Sequence, residues 1–203
     1  MDNLSQMNLF TSRLYMIEKP EFLDTMREVS QRYLDMVEKT PYATMSPDYS
    51  ADPQCADFAG YVSQTAWNIL ASQGYDMDNL VTVFTEMWTQ EHATHSGMDT
   101  HIHGVGSQLS AFYFLDNPPN GCQLIVHDPR AAKTIINLRE KDPKTISDAS
   151  PHIFLTLAAG HLIFASAWLP HSFTRNASTD PVRFIHMNLS VLPKLDNPNV
   201  EIV

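Results

Sequence analysis

The sequence predicts an α+β fold in which helices come first and a β-sandwich or barrel follows. The first third of the 203-residue chain carries apolar side chains at helical spacing, whereas from residue 80 onwards short runs rich in β-branched and aromatic residues alternate with period two. No helical pattern separates these runs, so we expect the strands to close on one another with the helices packed outside. One domain over 1–203 is expected, with a helical part at 1–79 and a barrel core at 80–192.

Two helices are predicted in the first third. Apolar residues recur at helical spacing from Lys19-Pro20 to Thr40, and proline suits the first turn of a helix. A second helical pattern covers 56–73 and stops before Gly74, as helices commonly do.

Strands follow, separated by turn-rich segments. The run from Leu80 to Thr89 alternates and is rich in β-formers. The long polar stretch 128–151 interrupts the strands, and such a loop in a compact domain is usually functional or mobile, so we interpret it as a lid. The other predicted strands are 109–115, 123–127, 153–157, 162–167 and 182–191.

Composition excludes several classes of protein. The 13 basic and 23 acidic residues give a formal charge of -10, which argues against general nucleic-acid binding. Two cysteines, Cys55 and Cys122, are too few for a disulfide scaffold and favour a reducing, cytoplasmic compartment. The uncharged run 153–169 is too short for a membrane span and contains Gly160, so we expect two strands joined by a turn and no membrane association.

The nine histidines carry the strongest functional signal. His101 and His103 stand two residues apart, so on a strand both imidazoles point the same way and form half of a site for Fe(II), Zn(II) or Cu(II). His171 follows an apolar strand that begins after a glycine turn. The other six are interpreted as exposed in the connection before His101 or as hydrogen-bonded structural residues: His92, His95, His127, His152, His161 and His186.

Four motifs follow one another in the second part of the chain. They are His101-Ile-His103, Ser110-Ala-Phe-Tyr-Phe114, the segment from Gly160 through Phe164-Ala-Ser-Ala-Trp-Leu-Pro to His171, and Arg183-Phe-Ile-His-Met-Asn188. In this order they resemble the 2-oxoglutarate/Fe(II)-dependent oxygenases, and most closely the small oxygenases of bacteria and phages with an H-x-H pair. The resemblance covers roughly residues 80–192 and does not include the helical first third.

The resemblance implies a double-stranded β-helix that binds Fe(II) and 2-oxoglutarate. His101 and His171 would be metal ligands, and His103 stands where most relatives have a carboxylate. Either three neutral imidazoles hold the iron, or a carboxylate comes from Asp99 or Asp128; we prefer His103, because it occupies the family position.

The resemblance also assigns residues to the cosubstrate. Arg183 is the candidate for the far carboxylate of 2-oxoglutarate, since a guanidinium binds a carboxylate through two hydrogen bonds; Arg175 is its competitor. Phe114 replaces a tyrosine that relatives often carry, so Ser110 on the same face of the strand is expected to serve instead.

The implied activity is hydroxylation of a substrate, a small molecule or a protein, with release of succinate and CO2. Two alternatives remain: a three-histidine dioxygenase of the cupin type that does not use 2-oxoglutarate, and a β-barrel binding or structural protein without activity. The helical first third offers a face for a homodimer.

Overall fold

The computed structural model describes residues 5–194 as two helices and ten strands. The helices are α1 Leu23–Leu34 and α2 Ala56–Ser72. The strands are β1 Leu14–Glu18, β2 Ala43–Met45, β3 Leu80–His92, β4 Met98–His101, β5 Leu109–Asp116, β6 Gln123–His127, β7 His152–Thr156, β8 His161–Ser166, β9 His171–Phe173 and β10 Val182–Pro193.

The strands form two antiparallel sheets that pack on each other. The larger sheet has the order β1-β8-β5-β10-β3-β2, and the smaller has the order β4-β9-β6-β7. One apolar core lies between the sheets and a second lies between the helices and the outer face of the larger sheet. This confirms the predicted α+β class and the double-stranded β-helix with helices outside. The boundaries of a single domain over 1–203 stay a prediction, and residues 1–4 and 195–203 lie outside the described part.

The longer elements agree with the sequence pattern. Helix α2 ends one residue before the predicted position, and all six predicted strands form within a few residues of their expected ends. Helix α1 is shorter than predicted, because it ends at Leu34 and the chain then turns to place β2 against β3. Tertiary strand pairing thus overrides the helical spacing of residues 35–40.

Four short strands were not predicted: β1, β2, β4 and β9. Each has three to five residues, too few to display a periodicity of their own, and each forms because a neighbouring strand offers hydrogen bonds. Strands β1 and β2 lie before residue 80 and occupy the two edges of the larger sheet.

The uncharged run 153–169 forms β7, β8 and their connecting turns. Gly160 adopts a φ of +88° before β8, which a residue with a side chain rarely does. Within residues 5–194, no helix combines the length and the apolar character needed to cross a membrane.

The stretch 128–151 connects β6 to β7 across the surface. It contains a 3-10 helix at Ala131–Ile135 and is otherwise irregular and largely exposed. Its first residue, Asp128, accepts hydrogen bonds from Arg130 and Lys133, which fix the start of the segment. Its role as a lid stays a prediction.

Strand β10 separates the two cores because its side chains alternate. Ile185 and Met187 pack beneath the helices, whereas Val182 and Phe184 lie between the sheets. Arg183 lies on the same face of β10 as Ile185 and Met187, the face toward the helices. Its guanidinium donates to Glu91 on β3 and to Gln31 on α1. Glu91 is 6% exposed, and Lys39 is its second partner.

We expect Arg183→Met to destabilise the protein by about 3 kcal/mol, because it leaves the buried Glu91 carboxylate with Lys39 alone. Urea unfolding measures this loss. Adding Glu91→Gln to Arg183→Met should recover part of the stability, since the unpaired charge is then removed. Equal stability of the wild type and Arg183→Met would show that the ion pair does not support the fold.

Candidate active site

The centre of the site is a cluster of three histidines at one end of the smaller sheet. Strands β4 and β9 pair antiparallel with His101 opposite His171. His103 follows β4, and its backbone N–H donates to the Ala167 carbonyl at 2.9 Å. These contacts bring together side chains from two distant parts of the sequence.

The three imidazoles have the geometry of a metal site. One nitrogen from each of His101, His103 and His171 lies within 4.8 Å of the others. The Nε2 atoms of His103 and His171 are 3.2 Å apart. Two nitrogens that share a divalent metal at about 2.0–2.1 Å are separated by about 2.8–3.4 Å for bond angles between 90° and 109°, so this spacing fits a metal between them.

Backbone carbonyls orient two of the rings. Nδ1–H of His101 donates to the Asp99 carbonyl, and Nδ1–H of His171 donates to the Leu169 carbonyl, both at 2.9 Å. Because a carbonyl only accepts, these bonds place the proton on Nδ1 and leave Nε2 with a free lone pair. The turn between β8 and β9 therefore holds both His103, through Ala167, and His171, through Leu169.

Burial keeps two of the three rings uncharged. Together with the charge of neighbouring histidines, it lowers the pKa of both His103 and His171 to about 4. Both rings are therefore neutral near pH 7, the form that binds a metal.

Neither carboxylate that we weighed against His103 reaches the cluster. Hydrogen bonds from Arg130, followed by those from Lys133, hold the pKa of the Asp128 carboxyl well below its usual range, so it is committed to that ion pair. Asp99 meets His101 through its backbone carbonyl. Among the residues described, the grouping that can hold a metal consists of His101, His103 and His171.

The two predicted cosubstrate residues are placed differently. Ser110 lies on β5, fully buried beside Asn188, and its hydroxyl has no hydrogen-bond partner. Arg183 is not brought to the histidines, which corrects its predicted position: side chains alternate along β10, and this one faces α1. Its competitor Arg175 is exposed.

His186 is a site residue that sequence reasoning missed. Its ring centroid lies 4.8 Å from that of His103 and 4.1 Å from that of Trp88. It is 2% exposed and neither ring nitrogen has a hydrogen-bond partner, so the expectation of a hydrogen-bonded structural residue is wrong. Burial lowers its pKa well below the usual value. No sequence signal marked it, because its place follows from the register of β10.

His92 is also buried, contrary to the expectation that it is exposed. Its Nδ1 hydrogen-bonds the Ser96 hydroxyl, its Nε2 lies 3.0 Å from the Gln90 amide nitrogen, and its ring stacks on Phe184. The interior beside it is filled by aromatic rings, those of Phe112, Phe114, Phe173 and Phe184.

Two cavities meet at His103. The first, of about 440 Å³, is bordered by His101, His186, Trp88 and Gln90. The second, of about 380 Å³, is largely apolar. It is lined by residues that include Met77, Leu80, Val105 and the half-exposed Trp168.

Part of the chain that contains this site matches a known protein family. Residues 86–186 match the family described as "Putative 2OG-Fe(II) oxygenase". A search of curated proteins found no match.

Solved structures share the fold. The α-ketoglutarate-dependent epimerase SnoN from nogalamycin biosynthesis superposes with a TM-score of 0.63 at 12% identity, over 95% of this chain and 85% of that one. A prolyl-4-hydroxylase from Pseudomonas putida gives 0.61 at 12% identity, over 89% and 93%. HygX from Streptomyces hygroscopicus, solved with nickel, 2-oxoglutarate and hygromycin B, gives 0.58 at 12% identity, over 91% and 84%.

The matched segment contains His101, His103, His171 and His186, and the solved structures share the fold over 89–95% of this chain. Over residues 86–186 the chain therefore belongs to the 2-oxoglutarate- and Fe(II)-dependent oxygenases, a family of oxidoreductases.

Proposed function

We propose that this protein is a dioxygenase that hydroxylates its substrate with conversion of 2-oxoglutarate to succinate and CO2, and that His101, His103 and His171 hold the iron. The observation that carries the proposal is the convergence of three imidazoles, with one nitrogen of each within 4.8 Å of the others, in a fold shared with this family. Imidazole nitrogens are ordinary ligands of Fe(II).

The residues present fit the metal. The carbonyls of Asp99 and Leu169 hold His101 and His171 in the tautomer whose Nε2 is free to bind. Partners of this kind set the orientation and basicity of ligands. Iron and 2-oxoglutarate, when bound, supply the oxidation of a substrate C–H bond. The protein itself fixes the ligand geometry and keeps the cluster partly shielded from water.

The apolar cavity on the far side of His103 suits the reacting part of a substrate. Trp168 and Val105 expose apolar surface there, and neither arginine nor lysine is among its lining residues. We infer that the substrate presents an apolar portion to this cavity, because burying apolar surface supplies binding energy without charge pairing. His103 borders this cavity and the one beside His101, so a molecule bound here lies next to the metal ligands.

His171→Ala is expected to lower the affinity for Fe(II) or Ni(II) by at least about 100-fold, because even residues that only orient a ligand contribute 10–100-fold. His103→Ala should weaken binding comparably. Anaerobic calorimetric titration of the metal-free protein measures both.

The matched control is His152→Ala, which removes an exposed histidine outside the cluster and should leave the affinity unchanged. Undiminished metal binding by His103→Ala would contradict its role as a ligand and favour a carboxylate in its place.

In air, and with ascorbate supplied to reduce the second oxygen atom of O2 to water, the Fe(II)-loaded protein is expected to convert 2-oxoglutarate slowly to succinate even without a substrate. His171→Ala should lose this conversion. Succinate formation is followed by NMR, with heat-treated protein as the blank. Tight metal binding without any effect of 2-oxoglutarate would instead support a three-histidine dioxygenase that does not use it.

A further inference from the structure

We propose that uncharged donors, the Trp88 indole N–H and the His186 imidazole, hold the far carboxylate of 2-oxoglutarate in place of an arginine. This inference rests on the proposed function and concerns the residues that bind the cosubstrate. Trp88, Gln90 and His186 are called the polar wall below.

The polar wall is a set of buried polar groups without partners. Trp88 Nε1, Gln90 Oε1 and both ring nitrogens of His186 lack hydrogen bonds. Gln90 is fully buried and His186 is 2% exposed. An unpaired buried polar group costs free energy, and in native proteins it commonly marks a site where a ligand completes the hydrogen bonds.

These groups lie together beside the metal ligands. Strands β3 and β10 pair with His186 opposite Trp88 and with Phe184 opposite Gln90, so the three side chains share the inner face of the larger sheet. All three border the 440 Å³ cavity that also contains His101 and His103. A molecule bound to the metal from this side therefore meets the wall.

The chemistry of the wall suits an acceptor. Indole Nε1–H only donates, and a neutral imidazole donates from one nitrogen, so Trp88 and His186 together offer two N–H groups. The Gln90 amide nitrogen hydrogen-bonds His92, and His92 in turn hydrogen-bonds Ser96. These two bonds hold the Gln90 side chain in place. A carboxylate can accept from both donors at once.

Among the described residues, neither arginine nor lysine borders the two cavities at His103. Arg183, which the resemblance assigned to the carboxylate, is bound to Glu91 on the opposite face of the larger sheet.

Charge balance explains why an arginine is dispensable. With three neutral imidazoles, a divalent metal keeps its charge of +2, which the -2 charge of 2-oxoglutarate cancels. A carboxylate at position 103 would leave the assembly with an extra negative charge, and an arginine would then be needed to neutralise it. His103 and the uncharged wall are therefore compensating departures from the family pattern.

Binding to the Ni(II)-loaded protein tests this without turnover. Calorimetry compares 2-oxoglutarate with pyruvate, which has the same keto acid group but no far carboxylate. Trp88→Phe keeps the ring and removes the donor, so it should weaken 2-oxoglutarate binding about 10- to 100-fold, as expected for a hydrogen bond to a charged group, and leave pyruvate within about twofold. His186→Phe should act in the same way.

The matched control is His152→Phe, which makes the same exchange at an exposed histidine outside both cavities and should affect neither keto acid. His103→Asp supplies the charge test: it should lower the affinity for 2-oxoglutarate more than the affinity for pyruvate, since the anion with the larger charge is repelled more strongly.

The outcomes separate the two proposals. No metal-dependent binding of 2-oxoglutarate by the wild type would overturn the proposed function. Two results would overturn only the proposal that Trp88 and His186 hold the far carboxylate: normal 2-oxoglutarate binding by both Trp88→Phe and His186→Phe, or equal losses of affinity for the two keto acids. A folded Arg183→Met variant that loses affinity for 2-oxoglutarate but not for pyruvate would overturn it as well. If Trp88→Phe does not fold, the affinities of His186→Phe for 2-oxoglutarate and for pyruvate test the proposal.

Discussion

The pairing of β4 with β9 is the interaction on which the site depends. Strand β9 has only three residues, yet it places His171 opposite His101 and so joins the two histidine motifs. Its other neighbour, β6, pairs Val126 with His171 and holds the strand within the smaller sheet. The position of His171 in the cluster therefore depends on the register of the sheet, because a shift of one residue would turn its side chain away.

Much of the fold was predictable because its long elements carry their own periodicity. Helix α2, the six longer strands and the order of the motifs could be read from the sequence alone. The short strands β1, β2, β4 and β9 could not, since their existence depends on partners distant in sequence. The same limit applies to His92, whose burial comes from the sheets closing over it.

In the site, residue spacing identified the three histidines, but it did not determine which way each neighbouring side chain points. Side chains alternate along β10. Arg183 therefore faces α1, while His186, three residues later, faces the histidine cluster. A motif match fixes the position of an arginine in the chain, whereas the face of the strand decides whether it belongs to the structure or to the chemistry.

The turn between β8 and β9 has a mechanical consequence. Its Ala167 and Leu169 carbonyls hold His103 and His171, and the half-exposed Trp168 between them lines the apolar cavity. A molecule that displaces the indole would therefore also displace the carbonyls that support His103 and His171. Under the proposed function, these two hydrogen bonds would link occupancy of the apolar cavity to the geometry of the histidine cluster.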